Sequence, residues 1–132
     1  MDILIKNGLI YDGTGGEPFT GDLAITDDRI EAVGGEPGHE AGRIIDAKGL
    51  VVCPGFVDIH SHSDYYLLVN PSAHSKIMQG VTTEIGGNCG YSAAPVANEM
   101  LRERQGTAGK ELGITLDWVD TEGYFSRLED QG

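Results

Sequence analysis

Residues 52–62, Val52-Cys53-Pro54-Gly55-Phe56-Val57-Asp58-Ile59-His60-Ser61-His62, decide how the rest of the chain is read. Pro54-Gly55 is strong punctuation, so a new element begins after it. Phe56 to His60 is short and apolar with little polar interruption, the pattern of a strand buried on both faces of a parallel sheet. In parallel α/β folds, sites lie at the carboxyl ends of the strands, and His60 and His62 stand at that end. Side chains two apart on extended backbone point to the same face, so both imidazoles can approach one ion. Neutral imidazole nitrogens suit zinc and related divalent metals. Alone, a His-x-His pair is equally an ordinary polar surface pair. Its place between a buried strand and a βα loop makes it a metal-site candidate.

The pattern then repeats. Residues 71–79 (PSAHSKIMQ) predict a helix, with Pro71 suited to the first turn and Gly80 to the stop. Val81 to Ile85 is β-branched and strand-like, and it runs into Gly86-Gly87-Asn88-Cys89-Gly90. A βα loop there opens on the same side as His60 and His62, and its glycines let the backbone turn the Cys89 thiol inward. A thiolate is a strong zinc ligand, deprotonated outright by the ion. Two other readings of Cys89 stay open: a buried thiol acting as a small hydrophobe, and a nucleophile, for which no local signature is present. Pro95 to Gln105 predicts another helix, with Val96, Met100 and Leu101 facing inward. Residues 117–130 predict a last one, with Trp118, Phe125 and Leu128 on or near one face. Strand, helix, strand, helix implies parallel βα units of an α/β fold.

Residues 1–54 read differently, as short strands with turns. Ile3–Lys6 and Leu9–Tyr11 flank Asn7-Gly8, a dipeptide suited to a tight hairpin. Leu23–Thr26 and Ile30–Val33 flank Asp27-Asp28-Arg29, while Arg43–Asp46 and Leu50–Cys53 lie around Lys48-Gly49. Residues 13–16 and 34–42 are glycine-rich loops. The expected organisation is a small β-sheet unit over 1–54 followed by βα units over 55–132. A closed (β/α)8 barrel takes about 250 residues, so two βα units leave strand edges unpaired. The expectation is the unfinished start of a larger fold.

The charge balance narrows the partners. Nine Lys and Arg against 21 Asp and Glu leave −12, a field that repels nucleic acid and acidic membrane surfaces. No run approaches the roughly 20 apolar residues of a membrane span, and the start lacks a secretory pattern. Two cysteines without a secretory mark favour reduced thiols and a cytoplasmic setting. P-loop, GxGxxG and GxSxG motifs are absent, so nucleotide and serine-hydrolase readings lack support. Asp58, Asp64, Glu84 and Asn88 are secondary candidates near the pair. His74 reads as a surface helix residue, His39 as incidental, and Cys53 as structural.

Residues 52–62 resemble the "PGFxDxHxH" segment that opens the barrel in the amidohydrolase superfamily, and the upstream strands are similar to that superfamily's small β-sandwich. Gln79 to Gly90 (QGVTTEIGGNCG) with Ser92-Ala93-Ala94-Pro95, and the tail from Asp117-Trp118 to Leu128-Glu129, resemble the N-acyl-D-amino-acid deacylases, or D-aminoacylases. The resemblance covers essentially the whole chain. It implies a β-sandwich portion followed by the first βα units of a (β/α)8 TIM-like barrel. It implies Zn2+, with His60 and His62 on one metal position. Cys89 would stand where many relatives use a carboxylated lysine, serving the tighter zinc site and able to bridge. The implied reaction is hydrolysis of N-acyl-D-amino acids to a carboxylate and a D-amino acid. The family's further histidines and catalytic aspartate come from later barrel strands, so the 132 residues alone are expected to be inactive. A cyclic-amide hydrolase of hydantoinase or dihydroorotase type shares the HxH opening, but Cys89 in GGNCG argues against it. A non-catalytic metal-binding module is the rival from another class.

Overall fold

The computed structural model describes residues 1–35, 37–38 and 40–131; His39 lies outside them. The chain divides into two units, Met1–Pro54 and Gly55–Gly132.

In the first unit, strand β1 (Ile3–Ile10) pairs antiparallel with β2 (Phe19–Thr26), which pairs antiparallel with β3 (Arg29–Val33). Strands β4 (Arg43–Asp46) and β5 (Val51–Val52) both run parallel to β1, on its Ile3–Lys6 and Leu9–Ile10 stretches respectively. Leu4, Ile10, Ala24 and Ala47 are buried here. The Asn7-Gly8 hairpin does not form. Asn7 and Gly8 sit inside one continuous strand, where Lys6 and Asn7 together oppose Asp22 between the Ile5–Leu23 and Gly8–Gly21 pairs. That is a β-bulge. Asn7 takes a left-handed φ of 61°, its N–H donates to Asp22 Oδ1 at 2.9 Å, and its Nδ2 donates to Asp46 Oδ1 at 3.0 Å. Asparagine's tolerance of that conformation thus serves a bulge instead of a turn. Gly8 is needed for space, because a Cβ there would lie 2.5 Å from Val52 Cγ2. The second hairpin forms, tightened to the two residues Asp27-Asp28, with Thr26 paired to Arg29 and Asp27 at φ 50°.

In the second unit, β6 (Phe56–Asp58) and β7 (Val81–Glu84) pair in parallel. Between them run α1 (Tyr66–Val69) and α2 (His74–Ile77), which completes a βαβ crossover. The strands approach closely at Gly55, where a Cβ would sit 2.0 Å from Thr82 Oγ1. Beyond β7 come a 3-10 turn (Asn88–Gly90), then α3 (Asn98–Arg104), a π-helical turn (Gln105–Gly109) and α4 (Lys110–Leu112). The last helix, α5 (Thr121–Glu129), is capped by Asp120, whose carboxylate accepts from Gly123 N at 2.8 Å. Tyr65, Leu68, Ala93, Leu116, Trp118 and Tyr124 form the buried cluster.

Several expectations shift. The helix over 71–79 shrinks to one turn, because Ala73 adopts φ 44° and Pro71 lies in the turn before it. The helix expected from Pro95 begins at Asn98, because Ala97 is extended, with φ −69° and ψ 149°. Val96 is buried and Leu101 packs on the core, but Met100 is exposed and Arg104 is buried instead. Trp118 is buried ahead of α5 and not on it, Tyr124 takes the inward position, and Phe125 is exposed. Phe56, Val57 and Ile59 are all more than half exposed, so the two-sided burial read for β6 is not made within these residues.

Candidate metal centre

The parallel ladder continues past both strands. Ile85 N donates to Asp58 O at 2.9 Å, and Ser61 N donates to Ile85 O at 3.1 Å. This sets the turn carrying His60 beside the turn carrying Cys89. Asn88 locks the two together, its Nδ2 donating to Ser61 O at 3.1 Å and to Ile85 O at 2.6 Å. Asp64 adds a tie from the following loop, its Oδ1 accepting from Gly87 N at 3.0 Å. Gly86 has to be glycine at this contact, because a Cβ would come within 2.8 Å of that same oxygen. Cys89 itself takes φ 56° and ψ 26°, between Gly87 and Gly90 with φ of 74° and 72°. These left-handed residues curl the loop, and the thiol faces His60.

His60 Nε2 lies 3.3 Å from Cys89 Sγ, and the His60 and His62 rings meet edge-on with centroids 5.4 Å apart. One donor atom from each of His60, His62 and Cys89 falls within 4.8 Å of the others, and all three residues are exposed. A tetrahedral zinc with ordinary bond lengths separates its ligand atoms by roughly 3.3–3.6 Å. The His60–Cys89 pair already has that spacing, and the donor types of all three residues suit that ion. Both cysteines are free thiols.

Behind the donors lies a charged layer that sequence reasoning only half identified. Asp58 Oδ1 accepts from the His60 backbone N–H at 3.1 Å, and its Oδ2 lies 2.6 Å from Lys76 Nζ. The same ammonium lies 3.0 Å from Glu84 Oε1 and donates to Ser61 Oγ at 3.2 Å. Ser61 Oγ and Ser63 Oγ are 2.8 Å apart, and Ser63 Oγ donates to Glu84 at 3.3 Å. The Lys76 hydrogen bond, followed by the His60 N–H, holds the Asp58 carboxyl below its ordinary range. Asp58 and then Glu84 hold the Lys76 ammonium above its own. Lys76 escaped notice because nothing in PSAHSKIMQ marks one lysine of an exposed-looking helix.

The other candidates separate cleanly. His74 starts α2, exposed and outside the donor group, while Cys53 is an exposed thiol after β5. Asp64 is buried, and its Oδ2 has no hydrogen-bond partner among the described residues. Beside His62 a cleft of about 330 Å³ opens, walled by Tyr65, Tyr66, Tyr91 and Glu111. This is room for an organic ligand next to the donor atoms.

A parallel βα pair thus places two histidines after one strand and a thiol after the next. The amidohydrolase family matches residues 43–120, more than half of the sequence, and the chain belongs to that family. Within it, the chain is 44% identical over 101 residues to N-acyl-D-aspartate deacylase of Alcaligenes xylosoxydans xylosoxydans, covering 76% of this chain and 20% of the relative. It is 37% identical over 131 residues to N-acyl-D-glutamate deacylase of the same organism, covering 99% and 26%. The crystal structure of N-acyl-D-glutamate deacylase from Bordetella bronchiseptica, complexed with zinc and a phosphonate inhibitor, superposes with a TM-score of 0.82 at 38% identity. That match covers 98% of this chain and 27% of the solved one. The chain therefore spans about a quarter of the length of the relatives it matches. No helix among the described residues is long and apolar enough to cross a membrane.

Proposed function

We propose that these 132 residues form the amino-terminal part of a zinc-dependent, cytoplasmic hydrolase that releases D-amino acids from N-acyl-D-amino acids. Residues 1–54 are the β-sandwich portion and 55–132 the start of the (β/α)8 barrel. The observation that carries the proposal is the convergence of His60, His62 and Cys89 at the ends of two adjacent parallel strands.

The three side chains hold zinc, the thiolate of Cys89 supplying the anionic donor and the histidines two neutral ones. When bound, zinc acidifies water and draws charge from the amide carbonyl. The rest of the work within this chain is positioning. Asp58 fixes the backbone at His60, Asn88 joins the two ligand turns, and Asp64 tethers the Gly87 end of the Cys89 loop. The carboxylates at the ligand turns are engaged elsewhere. Asp58 is committed to Lys76 and to the His60 N–H, and Asp64 lies buried under the loop. The proton carrier is an aspartate from a later strand of the barrel, so the 132 residues alone do not turn over.

The test is release of free amino acid from paired N-acetyl-D- and N-acetyl-L-amino acids by the complete enzyme. Zinc-dependent hydrolysis of the D member is expected, with its L counterpart discriminated against. Preference for L, or zinc-dependent turnover by the 132 residues alone, contradicts the proposal.

A further inference from the structure

We propose that Lys76 is a positioning residue of the metal centre, a clamp that holds the carboxyl ends of β6 and β7 together so that His60 and Cys89 meet at one ion. The inference rests on the metal reading above and extends it to a side chain that touches none of the donors.

The geometry is that of a buckle. One ammonium reaches Asp58 at the end of β6 (2.6 Å), Glu84 at the end of β7 (3.0 Å) and Ser61 Oγ, between the two histidines (3.2 Å). An ammonium offers three donors and all three are used. Each acceptor lies within two residues of a histidine donor or at the base of the Cys89 loop. The two strands pair over only three registered positions, with an irregularity between Phe56 and Val57. Beyond those positions the ends are held by two backbone hydrogen bonds and by Asn88, and Lys76 adds the charged tie. All three charged groups are partly withdrawn from solvent, with side-chain exposures of 25% for Lys76, 29% for Asp58 and 15% for Glu84. Such contacts are charge-assisted and incompletely screened. Without Lys76, two carboxylates face one another at the strand ends, and their repulsion opens the gap that the donors must close.

The sign of the effect separates this role from simple electrostatics. Lys76 is a cation near a cation site, so its charge alone opposes metal binding. Removing it should tighten zinc if charge were all that mattered, and should loosen zinc if Lys76 sets the geometry. Loss of an outer partner of metal ligands typically costs about 10–100-fold in affinity.

The experiment measures zinc dissociation constants by chelator competition on the complete enzyme, comparing wild type with Lys76→Met, Lys76→Arg and Cys89→Ala. Lys76→Met is expected to weaken zinc about 10–100-fold, and Lys76→Arg to recover much of the loss by bridging the same two carboxylates. Lys76→Gln, a gentler change, serves should the methionine variant fail to fold, with weaker zinc again expected. Unchanged or tighter zinc in the folded Met or Gln variant, while Cys89→Ala loses it, overturns the role of Lys76 alone. Zinc retained in full by Cys89→Ala overturns the metal reading on which it rests.

Discussion

Replacing Cys89 by alanine in the complete enzyme is expected to remove the tightly held zinc and to lower kcat/KM by on the order of 10³-fold or more. Cys89 supplies the only anionic donor of the three, so its loss removes charge neutralisation as well as a bond. His60 Nε2, now 3.3 Å from the sulfur, would keep a neighbour too small and too apolar to share an ion. Preorganised sites lose rate steeply when one member goes, because the remaining members cannot rebuild its geometry. His60→Ala should weaken the same zinc, though less, because it removes a neutral donor and leaves the thiolate in place. Metal analysis after dialysis, together with release of amino acid from an N-acetyl-D substrate, reads both effects. Full zinc retention by Cys89→Ala would return the residue to the role of an unligated thiol.

Trp118→Ala is expected to destabilise the second unit by about 3–5 kcal/mol, the range for removing a large aromatic from a core. Trp118 is 4% exposed and packs against Tyr65 and Tyr124, with ring centroids 6.4 and 5.5 Å away. Its Nε1 donates to Ala93 O at 2.8 Å, so truncation also orphans a buried carbonyl. The consequence reaches the candidate site. Tyr124 OH donates to Asp64 O at 2.7 Å, and Asp64 in turn holds Gly87 of the Cys89 loop. Burial first, then the nearby Asp64 charge, push the Tyr124 phenol up to about 12, so it remains a neutral donor through the physiological range. Urea unfolding followed by circular dichroism checks the prediction. A loss below about 1 kcal/mol would place Trp118 outside the core that anchors the loop.

What could be read from sequence was the part written in local pattern. Strands β4 and β7, the turn after Thr26 and the closeness of His60, His62 and Cys89 follow from side-chain alternation, turn chemistry and the placing of sites at strand ends. The misreadings came where one local preference fits two structures. Asn7 favours positive φ in a hairpin turn and in a bulge alike, and only pairing with Asp22 and Asp46 decides between them. Pro71 and Pro95 suit a first helical turn, yet non-helical backbone at Ala73 and Ala97 starts each helix three residues later. Helical periodicity also misjudged Met100 and Phe125, since the inward face of α5 runs through Tyr124 and Leu128 and in α3 it is Leu101 that packs on the core. Lys76 was out of reach for another reason. Its partners lie 18 and 8 residues away at two strand ends, and no spacing rule links a helix lysine to both.

Whether His60, His62 and Cys89 share one ion is tested most directly by X-ray absorption at the zinc edge of the complete enzyme loaded with one equivalent of zinc. The arrangement predicts a sulfur scatterer at about 2.3 Å together with imidazole nitrogens at about 2.0–2.1 Å, the sulfur disappearing in Cys89→Ala and the imidazole shell thinning in His60→Ala and in His62→Ala. A wild-type spectrum fitted by nitrogen and oxygen alone, with no sulfur shell, would contradict it.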